Sequence, residues 1–124
     1  MKRQFDLNER LVNFAAEIID ISEALPKTFA GNHLAGQLVR SGTSPALNYG
    51  EAQSAESRND FIHKMKVSAK ELRETFNCLK IIQKKNWAIP EKIASALDEN
   101  NQLIAIFVKS IETAQKNNES TRKR

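Results

Sequence analysis

Apolar residues recur along most of the chain at alternating steps of four and three, the spacing that places them on one face of an α-helix. Four segments show this pattern, and it predicts helices over roughly residues 7–25, 33–56, 60–85 and 90–116. Residues 117–124 lack the pattern and are predicted to form a disordered basic tail. Four amphipathic helices with short connections predict an all-α, up-down-up-down antiparallel four-helix bundle, formed by a single domain over residues 1–116.

Local signals place the ends of these helices. Pro26 is expected to end the first helix, because proline disfavours helical geometry in the residue before it. Asn32 is a candidate cap for the second helix, and Asn59 or Asp60 for the third. Pro90 suits the first position of the fourth helix, where its missing N–H costs nothing.

The stretch from Arg40 to Ala52 allows two interpretations. Gly42, Thr43, Ser44 and Pro45 together favour a loop. The polar residues of the same stretch nevertheless have helical spacing, since Arg40, Ser44 and Asn48 are four residues apart and Glu51 follows three later. A helix would keep all four on one face, and the residues alone leave both interpretations open.

The second helix also contains three glycines, Gly36, Gly42 and Gly50. Each interior glycine costs about 1 kcal/mol relative to alanine, and close approach of a neighbouring helix would compensate. Four apolar residues, Val12, Ile19, Val67 and Ile81, fall outside the main apolar seams. A broadened core and a subunit interface explain these four equally well.

Composition narrows the class of protein. The chain is 40% hydrophobic and 27% charged, as in ordinary globular domains, and no apolar run is long enough for a membrane span. We therefore expect a cytoplasmic protein without a membrane partner. One Cys and two His exclude an internal disulfide and make a zinc site untenable, and no cofactor is expected.

Positive charge is concentrated in the second half of the chain. Residues 1–62 carry six Lys/Arg and eight Asp/Glu (6 − 8 = −2), whereas residues 63–124 carry thirteen and seven (13 − 7 = +6). The outer face of the third predicted helix holds five of these cations: Lys66, Lys70, Arg73, Lys80 and Lys84. They would form a strip about 27 Å long, which matches a run of phosphates.

A solvated helix face is the simpler interpretation of such a strip. The basic residues Arg122, Lys123 and Arg124 and the sequence pI of about 9.3 shift the balance toward nucleic acid. No aromatic residue is interleaved with the strip, so the pattern supports phosphate-backbone binding and not base stacking.

No catalytic site is predicted. The serines of the Arg40–Ala52 stretch have no histidine at helical spacing to activate them. The favoured interpretation is a structural polar network, formed by Arg40, Ser44, Asn48 and Glu51 with Glu71, in which Arg40 pairs with Glu71 or Glu74 on the next helix.

Several residues of these helices match a known family. They are Leu25-Pro26, Gln37-Leu38, Arg40-Ser41, Ser44, Asn48, Glu51-Ala52, Phe61 and the run Ala69-Lys70-Glu71. With them, the chain from the first through the third helix resembles the four-helix-bundle proteins encoded in intervening sequences of bacterial 23S ribosomal RNA genes, which are related to accessory variability proteins of diversity-generating retroelements.

The resemblance implies a second helix that continues through residues 40–52 and bends at Pro45, and a ring-shaped homopentamer. It also favours a subunit interface for the four apolar residues outside the seams. The retroelement relatives bind RNA and a reverse transcriptase. The sequence therefore predicts a non-enzymatic oligomer that binds nucleic acid, RNA more than DNA; the alternative is a structural adaptor for a protein partner such as a reverse transcriptase.

Overall fold

The computed structural model describes residues 6–123 of the chain, and the side chains of residues 7–118. These residues form four helices and, within the described range, no strand. The helices are α1 (Asp6–Glu23), α2 (Phe29–Gln53), α3 (Arg58–Lys85) and α4 (Pro90–Lys123). The all-α class and the number of helices are therefore as predicted.

The four helices share one apolar core. Helix α1 contacts α2 and α4, and α3 contacts the same two helices. An Arg10 to Glu99 ion pair, 2.8 Å between Nη2 and Oε1, links α1 to α4. The largest fully buried apolar side chains come from all four helices: Leu11, Phe14, Ile18, Leu38, Met65, Leu72, Leu79, Ile82, Ile93, Leu103 and Phe107. The apolar seams of α1 and α3 lie in this core, which is why helical spacing revealed them.

Helix α2 is continuous through Pro45, so the loop interpretation of this stretch is wrong. Proline removes one backbone hydrogen bond, but the same residues pack into the core. Leu38, Ser41, Gly42, Pro45 and Ala52 are all buried on one side of α2. This burial holds a helix whose local sequence would favour a break.

The ends of α2 and α3 differ from the predictions. Helix α2 begins at Phe29, because the Thr28 hydroxyl accepts a hydrogen bond from the Gly31 N–H at 3.0 Å and caps the helix ahead of Asn32. Helix α3 begins after Ser57, whose hydroxyl accepts from the Asp60 N–H at 3.0 Å. A helix tends to begin directly after such a residue, because its hydroxyl accepts a hydrogen bond from a first-turn N–H that would otherwise be unpaired.

Helix α4 starts at Pro90, as predicted, but continues to Lys123 instead of ending near residue 116. The segment 117–123 is therefore helical in backbone. Its sequence lacks an apolar face but also lacks Gly and Pro, so nothing in it interrupts the backbone hydrogen bonds that propagate from the packed part of α4. Arg124 lies outside the described residues.

The glycines of α2 have different surroundings. At Gly31, in the first turn of the observed helix, a Cβ would lie 2.0 Å from the backbone carbonyl oxygen of Pro26. A Cβ at Gly42 would lie 2.6 Å from Ile18 Cγ2 and 3.0 Å from Ile18 Cβ, so α1 and α2 approach closely at this point. At Gly36 and Gly50 a Cβ would meet nothing within 4 Å. Packing within the chain therefore requires a glycine at positions 31 and 42, and at neither Gly36 nor Gly50.

We expect Gly42→Ala to lower the free energy of unfolding by about 1–2 kcal/mol. Overpacking against Ile18 costs about 1–3 kcal/mol, and the better helix propensity of alanine offsets about 1 kcal/mol of it. Chemical denaturation at low protein concentration measures the change. Gly36→Ala and Gly50→Ala are the matched controls, expected to leave stability unchanged or raise it by up to about 1 kcal/mol. Equal losses at positions 36, 42 and 50 would contradict the close packing of α2 on Ile18 of α1.

A basic groove between two helices

The outer face of α3 carries the five predicted basic residues. Lys66, Lys70, Arg73, Lys80 and Lys84 are all exposed. They recur at steps of three, four and seven, which keeps them on the side of α3 opposite to buried Leu72 and Leu79. The core seam therefore fixes the direction in which this strip points.

Three of these cations border a groove between α3 and α4, here called the basic groove. It consists of two adjoining cavities of about 590 and 270 Å³. The larger is lined by Asn59, Ile62, Lys66, Glu112, Gln115, Lys116 and Asn118. The smaller is lined by Lys66, Ala69, Lys70, Arg73, Val108, Ile111 and Glu112.

The lining of the basic groove is strongly biased in charge. Four cations line it, Lys66, Lys70 and Arg73 from α3 and Lys116 from α4, against the single carboxylate of Glu112. Its floor is apolar, since Ile62 and Ile111 are buried to 8% and 9% exposure. Cations around a low-dielectric floor concentrate positive potential and attract anions.

The remaining predicted binding residues lie elsewhere. Lys80 and Lys84 are exposed on α3 but do not line the basic groove. The side chains of Arg122 and Lys123 and the whole of Arg124 lie outside the described residues. The structure thus brings Lys66, Lys70 and Arg73 together with a fourth cation that the sequence analysis did not identify.

Sequence reasoning missed the α4 wall of the groove. Glu112 and Lys116 are four residues apart and would share one face of α4, beside the buried Ile111. That spacing was readable from the sequence. Which face of α4 adjoins the basic strip of α3 depends on how the two helices pack, and the spacing does not contain that information.

The polar residues of α2 form three separate groups instead of one network. Arg40 Nη1 lies 3.0 Å from Glu71 Oε1, and Arg40 Nη2 also pairs with Glu74. Asn48 Nδ2 donates to Ser44 Oγ at 2.8 Å within α2. Glu51 pairs instead with Lys64 Nζ at 3.3 Å. The Ser44–Asn48 bond lies within α2, and the ion pairs of Arg40 and Glu51 join α2 to α3.

Fully buried polar groups also join the helices. The Thr75 hydroxyl lies 2.8 Å from that of Ser41, and both residues are 0% exposed. With its amide oriented to satisfy both neighbours, Asn100 donates to the Leu72 carbonyl at 3.1 Å and accepts from the Phe76 N–H at 3.0 Å. These pairs fix the register of α2 and α4 on α3.

The single cysteine of the chain, Cys78, is buried in α3. Burial raises the pKa of the Cys78 thiol, the Glu74 carboxylate raises it further, and the Arg40 guanidinium lowers it in part. The reactive thiolate is therefore disfavoured at neutral pH. Within residues 6–123 no three His, Cys, Asp or Glu side chains are grouped to hold a metal ion. Over the same residues, none of the helices has the length and apolar character needed to cross a membrane.

The fold and groove define a class: an all-α, four-helix protein with a cationic groove on one side. The profile of the 23S rRNA-intervening sequence proteins matches residues 3–109, and the chain belongs to that family. It is similar to a crystal structure of a protein of unknown function from the S23 ribosomal protein family of Bacteroides thetaiotaomicron. The two share 28% sequence identity with a TM-score of 0.78 over 85% of this chain and 97% of the other. No curated protein matches the chain.

Proposed function

We propose that this protein is a non-enzymatic, cytoplasmic four-helix bundle that binds RNA through the phosphate backbone in the basic groove. The observation that carries the proposal is the lining of the groove, where Lys66, Lys70, Arg73 and Lys116 surround an apolar floor. Phosphates are the repeating anions of a nucleic acid, and lysine and arginine bind them without reading sequence. Membership in a family named for 23S rRNA intervening sequences supports RNA as the polymer.

The bundle is proposed to have up-down-up-down order. Two ion pairs support an antiparallel arrangement of α2 and α3. Glu51, near the end of α2, pairs with Lys64 near the start of α3, whereas the earlier Arg40 pairs with the later Glu71. The same opposition relates α3 to α4, because Asn59 contacts Asn118 and Leu72 contacts Asn100. In this arrangement the basic strip of α3 runs along the α4 wall over most of the groove.

Salt dependence tests the RNA proposal. We expect a single-stranded RNA of about 20 nucleotides to bind with a log Kd that rises linearly with log salt, with a slope of about 3 if all four groove cations contact phosphates. Fluorescence anisotropy between about 50 and 200 mM salt measures the slope. An affinity that does not fall with salt would overturn phosphate-backbone binding. Absence of any RNA binding, with retention of a protein partner, would favour the adaptor function instead.

We further propose that the subunits assemble into a ring, with five copies as the expected number. Helices α1 and α2 expose apolar side chains that no described residue covers: Val12 is 51% exposed, Ile19 37% and Leu47 70%. Gly36 and Gly50 leave open space on α2, as a site of close helix approach would. Of the two other unassigned apolar residues, Val67 is half-buried and Ile81 is 50% exposed.

Leu47→Glu tests this assembly. We expect the wild-type protein to sediment as an oligomer and Leu47→Glu to shift the population to smaller species, because a buried unpaired charge opposes association. Ile89→Glu is the matched control, since Ile89 is 56% exposed in the connection before α4. A wild-type protein that sediments as a monomer at all concentrations would overturn the ring, and equal effects of the two variants would move the interface away from α2.

A further inference from the structure

Glu112 supplies the carboxylate in the lining of the basic groove. It lines both cavities, as does Lys66 on the opposite wall, so both residues border the place where the cavities join. Lys66 belongs to α3 and Glu112 to α4. A chain that occupies both cavities would lie against these two residues.

The carboxylate of Glu112 is exposed, and among the described residues it forms no hydrogen bond or ion pair, although Lys66 and Lys116 line the same cavity. Arg10–Glu99, Arg40–Glu71 and Lys64–Glu51 show that other glutamates of this fold do pair between helices. Glu112 is therefore available to a ligand.

An ionised carboxylate only accepts hydrogen bonds, and phosphate oxygens only accept as well. Glu112 consequently repels a phosphate placed against it and attracts a hydrogen-bond donor. In a nucleic acid whose phosphates contact Lys66, the nearest donor along the backbone is the ribose 2′-hydroxyl of the adjoining sugar, and DNA lacks it.

We propose that Glu112 reads the ribose 2′-hydroxyl and makes the basic groove selective for RNA over DNA. The inference rests on the proposed function, because it needs a nucleic acid in the groove. It assigns different tasks to the two walls: cations on α3 hold phosphates, and one carboxylate on α4 distinguishes the sugar. It also accounts for an anionic side chain at the centre of a cationic surface.

Matched oligonucleotides test the assignment. RNA and DNA strands of one sequence, together with an RNA strand whose 2′-hydroxyls are replaced by hydrogen, are titrated against wild type, Glu112→Ala and Glu17→Ala. We expect wild type to bind RNA about tenfold more tightly than either 2′-deoxy strand, the size of one hydrogen bond to a charged acceptor. Glu112→Ala should reduce the ratio to about one, chiefly by strengthening the binding of DNA and weakening that of RNA.

Glu17→Ala removes the same charge from α1, which does not contact α3, and should keep the tenfold ratio. Circular dichroism of each variant establishes that it is folded. If RNA binds but the RNA-to-DNA ratio in wild type is one, or if Glu112→Ala keeps the ratio, the assignment of Glu112 is overturned while phosphate-backbone binding stands. If no strand binds to wild type, the proposed function itself fails.

Discussion

Replacement of Phe107 by Ala is expected to lower the free energy of unfolding by about 3–5 kcal/mol. Phe107 is 0% exposed and lies edge-on to Tyr49 of α2, with ring centroids 6.1 Å apart and an interplanar angle of 65°. Truncation would remove this aromatic contact and leave a cavity in the core beside the Tyr49 ring. Urea denaturation followed by circular dichroism measures the loss.

Phe29→Ala provides a matched control on the same residue type. Phe29 is the first residue of α2 and is 91% exposed, so its truncation should change the free energy of unfolding by less than about 0.5 kcal/mol. A similar loss for both variants, or a Phe107→Ala protein as stable as wild type, would contradict the core described for these four helices.

The second large effect is expected in nucleic-acid binding. Reversal of two adjacent groove cations, Lys66→Glu with Lys70→Glu, should weaken RNA binding on the order of a hundredfold at low salt. Each substitution removes a phosphate contact and adds a repulsive charge to the groove. Anisotropy titration at about 50 mM salt measures the affinity, and the difference from wild type should shrink as salt rises.

Lys27→Glu with Lys92→Glu makes the same change in net charge away from the basic groove. Both lysines are exposed, in the α1–α2 connection and in the first turn of α4. This control is expected to weaken binding less than about threefold, through the long-range field alone. If both double variants lose affinity equally, net charge governs binding and the groove has no special role. An unchanged affinity of the groove variant would exclude the groove as the binding site.

Much of the fold was predictable because its helices are defined by local spacing. The apolar residues of α1 and α3 lie in the core where steps of three and four placed them, and the same spacing placed Lys66 to Lys84 on the outside. In α4 the buried residues Ala96, Asn100, Leu103 and Phe107 also follow one another at steps of four and three. Helix ends were less predictable, because several neighbouring polar residues could serve as the N-cap. The structure has Thr28 and Ser57 in that role.

The stretch around Pro45 shows where local sequence is insufficient. Gly42, Ser44 and Pro45 together favour a break, yet α2 continues because its small residues pack against neighbouring helices. The absence of a side chain at Gly42 lets Ile18 of α1 pack against α2, and the Ser41 hydroxyl hydrogen-bonds with the Thr75 hydroxyl of α3. The resemblance to a known family predicted the continuous helix, whereas residue propensities did not. Tertiary packing overrides propensity here because the core contacts outweigh a single lost backbone hydrogen bond.

The sequence by itself determined that the chain forms four amphipathic helices and that α3 carries a basic outer face, because both properties follow from residue spacing within one helix. Only the tertiary structure decided that α4 packs beside that face and adds Lys116 and Glu112 to it. As a result, Lys66, Lys70 and Arg73 line a groove, whereas Lys80 and Lys84 lie outside it. Spacing within a helix fixes which residues share a face. The neighbour that the face meets is set by helix packing, to which the shared apolar core and the Asn100 hydrogen bonds between α4 and α3 both contribute.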